Sequence, residues 1–87
     1  MKDLTLFYLA TCPYCNRARQ YMEELKEENP AYAAIPVKMI EERERKSLAD
    51  SFDYFYVPTF YVGDQKVAEG AIDKDGVRAV FDKALKA

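Results

Sequence analysis

Two side chains in this sequence can carry covalent chemistry, the cysteines of Cys12-Pro13-Tyr14-Cys15. They are the only cysteines, and histidine is absent, which removes the usual imidazole base and most zinc sites. Cysteines spaced this way, where an apolar strand-like run meets a helix, form and break one disulfide within the motif and so exchange electron pairs. With Pro13 as the first helical residue, Cys12 is the N-cap and its sulfur faces the unpaired N–H groups of the first turn. Such a position lowers a thiol pKa from about 8.5 to between about 3.5 and 7.5. Cys15, one turn further in, has no such donors on this reading. Cys12 is therefore the attacking thiolate and Cys15 the resolving thiol. No carboxylate is placed by the sequence to deprotonate Cys15, which leaves water, and Arg17 and Arg19 read as solvated surface charges. Two other readings stay open: half of a metal site, which would need a second subunit to close it, and a pair of small buried hydrophobes.

The rest of the chain bounds these readings. Its 87 residues are half apolar (49%) and one third charged (32%), the balance of one small globular domain with a single core. A net charge of −2, from 13 basic and 15 acidic residues, lacks the basic excess that nucleic acid or an anionic membrane would attract. Lys2 followed by Leu4 to Ala10 is no signal peptide, because Asp3 interrupts the charged start and no small-x-small site follows. No apolar run approaches the roughly 20 residues needed to span a bilayer. The expectation is a cytoplasmic protein, and in a reducing compartment two close cysteines serve catalysis or metal binding more often than stapling.

Periodicity places the elements that must hold the motif. Leu4 to Ala10 has the near-continuous apolar composition of a central strand covered on both faces. From Pro13 to about Asn29-Pro30, Ala18, Tyr21, Met22 and Leu25 form one face of an amphipathic helix. Ile35 to Ile40 reads as a strand parallel to the first, and Glu41 to Ser51, with Leu48, Ala49 and Phe52 on one thin edge, as a short helix. Phe55 to Val62 and Gln65 to Ala68 make a hairpin around Gly63-Asp64. Asp73 caps a last helix that buries Val77, Val80, Phe81, Ala84 and Leu85. The order βαβαββα predicts one mixed sheet with helices on both faces. Tyr54, Phe55, Tyr56, Phe60 and Tyr61 are assigned to the core and strand faces. Tyr14 lies at the rim of the motif.

Cys12-Pro13-Tyr14-Cys15 resembles the active site of the dithiol glutaredoxins, within the thioredoxin-fold superfamily. Asn16-Arg17-Ala18-Arg19 resembles the basic, alanine-containing turn those proteins place after the motif, and Val57-Pro58-Thr59 their Val-Pro before the third strand. The resemblance covers essentially the whole chain. It implies a thioredoxin-like α/β fold, with a four-stranded mixed sheet flanked by three helices, in one domain over residues 1–87. It also implies that Pro58 is cis beside the nucleophile and that the Val57 backbone is turned outward to pair with a bound peptide or glutathione. Leu9 stands where glutaredoxins usually carry a basic residue for a glutathione carboxylate. Tyr54, Phe55 and Tyr56 fill the approach where another basic or amide side chain is usual. Of the family's Gly-Gly-x-x-Asp, only Gly70 and Asp73 remain. Asp73 either caps its helix or receives the glutathione ammonium. Gly70 to Lys74 also looks like the Gly-Ala-x-x-Lys of thioredoxins, but Trp-Cys-Gly-Pro-Cys is missing and Leu6 stands where thioredoxins bury an acid.

These readings converge on a monomeric thiol-disulfide oxidoreductase that reduces protein disulfides or glutathione mixed disulfides through Cys12 and Cys15. Tyr14, Val57, Pro58 and Asp73 would bind substrate or glutathione. No bound cofactor is expected, with glutathione as co-substrate, or a thioredoxin reductase as the electron source for a small thioredoxin-like protein. A less favoured class is an iron-sulfur dimer built on Cys12 of two subunits and two glutathiones, which visible absorbance would reveal. A redox-sensing module without turnover is another, and slow exchange would mark it.

Overall fold

The computed structural model describes residues 1–87. The chain runs β1 (Leu4–Tyr8), α1 (Pro13–Glu28), α2 (Pro30–Ala33), β2 (Val37–Glu41), α3 (Lys46–Asp50), β3 (Thr59–Val62), β4 (Gln65–Glu69) and α4 (Lys74–Lys86). The strands form one sheet in the order β2-β1-β3-β4. β1 pairs in parallel with β2 and antiparallel with β3, and β3 pairs antiparallel with β4. β1 is therefore central, as its unbroken apolar run requires. Leu4 and Leu6 point to one face and Phe7 to the other, and both faces are covered. No helix is long and apolar enough to cross a membrane.

The larger core lies between the sheet and α1, α2 and α4, where Leu4, Leu6, Phe60 and Val62 meet Ala18, Met22, Leu25, Tyr32, Val77, Val80, Phe81 and Ala84. The smaller core, on the opposite face, packs Phe7, Ile40 and Tyr61 under Ala49, with Leu48, Phe52 and Tyr54 at its margin. Lys74 Nζ ties α4 to α1 through Glu24 Oε1 at 3.1 Å and through Glu28.

Three expectations change. The helical elements number four rather than three, because Asn29 ends α1 and at once starts α2. Its N–H donates to the Leu25 carbonyl at 3.0 Å, while its Oδ1 accepts from Ala31 N–H at 3.0 Å, with Pro30 following. The second helix shortens from Glu41–Ser51 to Lys46–Asp50, because Glu41 completes β2 and its carboxylate draws the next N–H groups into a turn. The third strand starts at Thr59 rather than Phe55. Residues 53–58 form an irregular loop on which Phe55 (85% exposed) and Tyr56 (70%) stand in solvent, so those two leave the predicted core while Phe60 and Tyr61 keep their places.

The hairpin carries one irregularity. Thr59 faces Glu69 and Phe60 faces Ala68, but Tyr61 faces Lys66, so Val67 is an extra residue in β4. Val67 and Ala68 then both pack on the larger core, and Lys66 and Glu69, which alternation would put on opposite faces, fall on the same one.

Phe81 is fully buried against Tyr32, with ring centroids 5.3 Å apart. Phe81→Ala should cost about 3 to 5 kcal/mol of unfolding free energy in urea titrations, the usual range for an emptied aromatic core position.

Candidate active site

The chain leaves the sheet after Tyr8 and enters α1 at Pro13, and every residue of the crossing is tied down. Leu9 N–H donates to Cys15 Sγ at 3.5 Å, and the Leu9 carbonyl accepts from Cys12 N–H at 3.1 Å. Ala10 N–H donates to Glu41 Oε2 at 3.0 Å, and the Thr11 hydroxyl accepts from Arg43 Nη2 at 2.6 Å. Glu41, only 7% exposed, also accepts the N–H of Arg43 at 2.6 Å and of Glu44 at 3.4 Å. The Ala10 N–H foremost, with those of Arg43 and Glu44, holds its carboxyl below the usual carboxylate range.

Cys12 and Cys15 are both free thiols but sit in different surroundings. Cys12 is the N-cap of α1, with extended backbone, and Pro13 is the first helical residue, as expected. It is partly exposed and makes no capping hydrogen bond of full geometry. The Cys15 N–H chiefly, then the Cys15 thiol and the Tyr14 N–H, nevertheless lower its pKa below the ordinary thiol value against a smaller opposing effect of desolvation. Cys15 is fully buried, and burial pushes its thiol up to about 11, with the Leu9 N–H pulling the other way and the neighbouring Cys12 adding to the rise. The expectation that Cys15 lacks a donor is thus corrected: the end of β1 supplies one. Arg19 is not a free surface charge either. Its guanidinium lies 4.7 Å from the Tyr8 ring centroid and donates to Asn16 Oδ1 at 2.6 Å.

The other predicted residues fall around this pair. Val57-Pro58 is cis, and Pro58 is fully buried. Phe7 of β1 pairs with Thr59 of β3, so the Val57-Pro58 loop enters the sheet at the end where β1 leaves for Cys12. The Pro58 carbonyl accepts from Gly70 N–H at 2.8 Å, whereas the Val57 N–H and C=O have no partner within the chain. Tyr14, 52% exposed, lines an open groove of about 500 Å³ with Arg17, Tyr21, Ala71, Ile72 and Asp73. Asp73 does cap α4, accepting Gly76 N–H on Oδ1 at 2.7 Å. A Cβ on Gly76 would come within 2.6 Å of Ile72 Cγ1, so glycine is what lets this cap close. The cysteine pair, Tyr14 and Asp73 therefore share one end of the sheet with Val57 and Pro58.

Sequence reasoning missed Glu41, Arg43 and Glu69. Glu69 Oε2 accepts the N–H groups of both Phe55 and Tyr56, and Lys66 Nζ holds Oε1 at 2.8 Å. Lys66 foremost, then these two N–H groups, brings the Glu69 carboxyl down to about 2. A single β4 glutamate in a charged chain carries no signal of such a role, since it depends on the extra residue at Val67.

A four-stranded mixed sheet with helices on both faces, carrying two unequal thiols where β1 meets α1, is a thioredoxin-like fold. Residues 4–67 match the glutaredoxin family, and the chain belongs to it. Among solved structures, a mutant thioredoxin from Halobacterium salinarum NRC-1 superposes with a TM-score of 0.70 at 24% identity, covering 98% of this chain and 75% of that one. A malarial protein superposes with a TM-score of 0.70 at 18% identity, over 95% of this chain and 96% of its own. These likenesses are of fold. No curated protein matches the chain. Family membership supports a thiol-disulfide oxidoreductase-like role.

Iodoacetamide should modify Cys12 at a lower pH than an ordinary thiol and leave native Cys15 unmodified until the protein unfolds or the pH nears 11, read by mass spectrometry of peptides. Equal reactivity of the two would remove the asymmetry. Acid should act through the carboxylates: Glu41 and Glu69 are depressed in the fold, so their contribution is complete above the unfolded carboxylate pKa of about 4.3 and is lost as the pH falls toward the folded values. Glu69, at about 2, keeps its proton off longest. Urea midpoints measured from pH 7 to pH 3 should fall less steeply for Glu69→Gln than for the native chain.

Proposed function

We propose that the protein reduces protein disulfides or glutathione mixed disulfides through the Cys12–Cys15 couple. The observation that carries this reading is an accessible, thiolate-favouring Cys12 one helical turn from a buried Cys15 that holds its proton. The Cys12 thiolate attacks one sulfur of the substrate disulfide. That S–S bond breaks, a mixed disulfide forms on Cys12, and the other substrate sulfur leaves as a thiolate that takes a proton from water. Cys15 then loses its proton to water and attacks Cys12 Sγ. The Cys12–Cys15 disulfide closes, the second substrate thiol is released, and two electrons have passed to the substrate. The high pKa of Cys15 delays the second step until the mixed disulfide has formed, when the thiolate charge on Cys12 that opposes Cys15 ionisation is gone.

Restoring the dithiol takes two electrons, and we assign glutathione as their source. The groove beside Tyr14 offers the Arg17 guanidinium for a carboxylate and the free oxygen of Asp73 for an ammonium. Two glutathiones would supply the electrons and leave as their disulfide. A thioredoxin reductase is the second reading. Leu9, which presents no cation, and Lys74, engaged by Glu24 and Glu28, favour it by leaving the groove with one basic side chain.

Cys12→Ser should drop turnover to background. Cys15→Ser should retain exchange with glutathione mixed disulfides and lose reduction of protein disulfides. An equal loss in both assays would contradict the assigned roles. Oxidised protein supplied with glutathione, or with a thioredoxin reductase and its own reductant, should regain two thiols by titration only with the source it uses.

A further inference from the structure

We propose that Phe55 and Tyr56, held by Glu69 just before Val57, form the surface that selects a disulfide partner. It fits an extended polypeptide with an apolar side chain next to the target cysteine. The inference rests on the exchange reading above and names its substrate class.

The two rings are out of place for a chain with room to bury aromatics. Neighbouring Phe52 and Tyr54 pack on Phe7, with centroids 4.7 and 5.0 Å away, yet Phe55 and Tyr56 are 85% and 70% exposed. Their backbone is nonetheless fixed. Glu69 Oε2 takes both of their N–H groups, the Tyr56 carbonyl accepts from the Thr59 hydroxyl, and the Asp53 carbonyl accepts from Tyr61 OH at 2.8 Å and Lys66 Nζ at 3.3 Å. An exposed apolar pair on an ordered backbone is a preorganised contact surface, because little conformational freedom remains to be lost when a partner covers it.

Chain geometry sets this surface against the site. Val57, next in sequence, has its N–H and C=O unpaired, and an extended backbone is the ligand that satisfies both at once. Gly70 lies between the aromatic pair and the groove: a Cβ on it would sit 3.9 Å from Tyr56 Cβ, and Ala71, Ile72 and Asp73, which follow it, line the groove with Tyr14. Neither ring lines that groove, which has room for a tripeptide thiol. A polypeptide running past Val57 places a side chain on them.

The test uses two disulfide-linked peptides identical except for Leu or Ser beside the target cysteine, together with a glutathione mixed disulfide of a small thiol. The native protein should reduce the Leu peptide with a kcat/KM about tenfold above the Ser peptide, the scale of one buried contact residue. Phe55→Ser combined with Tyr56→Ser should erase that preference and leave the small mixed disulfide unchanged, which also reports an intact fold. Glu69→Gln, which keeps both rings and weakens their tether, should raise KM for the Leu peptide with kcat retained. Equal rates for the two peptides in the native protein, or a preference that survives the double substitution, would overturn the proposal. Absence of reduction of all three substrates by the native protein would overturn the exchange reading itself.

Discussion

Between Tyr8 and Pro13 the chain must stop being a buried strand and become a helix within four residues, and that short crossing sets the difference between the two sulfurs. Because β1 is the central strand, its carboxyl end opens directly beneath the first turn of α1. Cys15 falls into the interior against the Leu9 N–H, while Cys12 stays at the surface among the amides that the helix leaves unpaired. Burial raises one thiol and backbone dipoles lower the other, so the asymmetry needs no histidine.

Two carboxylates keep the backbone around this pair in place, by the same chemistry applied to different segments. Glu41, at the end of β2, gathers the N–H of Ala10 before the motif and those of Arg43 and Glu44 after itself. Glu69, at the end of β4, gathers the N–H groups of Phe55 and Tyr56. Each carboxylate replaces the sheet partner that an irregular loop lacks, satisfying amides that would otherwise depend on solvent. The loops on both sides of the cysteines thereby gain order without regular secondary structure.

How far the sequence disclosed this arrangement follows from the range of each interaction. The succession of strands along the chain, the cap at Cys12, the helix stripe through Ala18, Met22 and Leu25, and the Asp73 cap rest on residues a few positions apart, and local pattern reveals them. The family resemblance supplied the cis Val57-Pro58 bond. The short helix at Pro30–Ala33 was legible in principle, since Asn29-Pro30 is a cap followed by an N1 proline, but the same pair also reads as a simple stop. Phe55 and Tyr56 misled because aromatic composition signals a strand whether or not the residues pair. Glu41 and Glu69 were invisible, since each acts on backbone 13 to 31 residues away, and nothing in a glutamate's neighbours announces such a contact.

The extra residue at Val67 shows how a count in one hairpin reaches the rim of the thiols. Strands obey parity: two side chains an odd number of positions apart look in opposite directions. By inserting one position, the bulge makes Lys66 and Glu69 look the same way, which is the condition for their ion pair and for the carboxylate's grip on the aromatic loop. A relative with a hairpin one residue shorter could keep the sheet, the helices and both cysteines and still be unable to hold that loop. Hairpin length thus governs whether the aromatic loop is held, independently of what surrounds the two sulfurs.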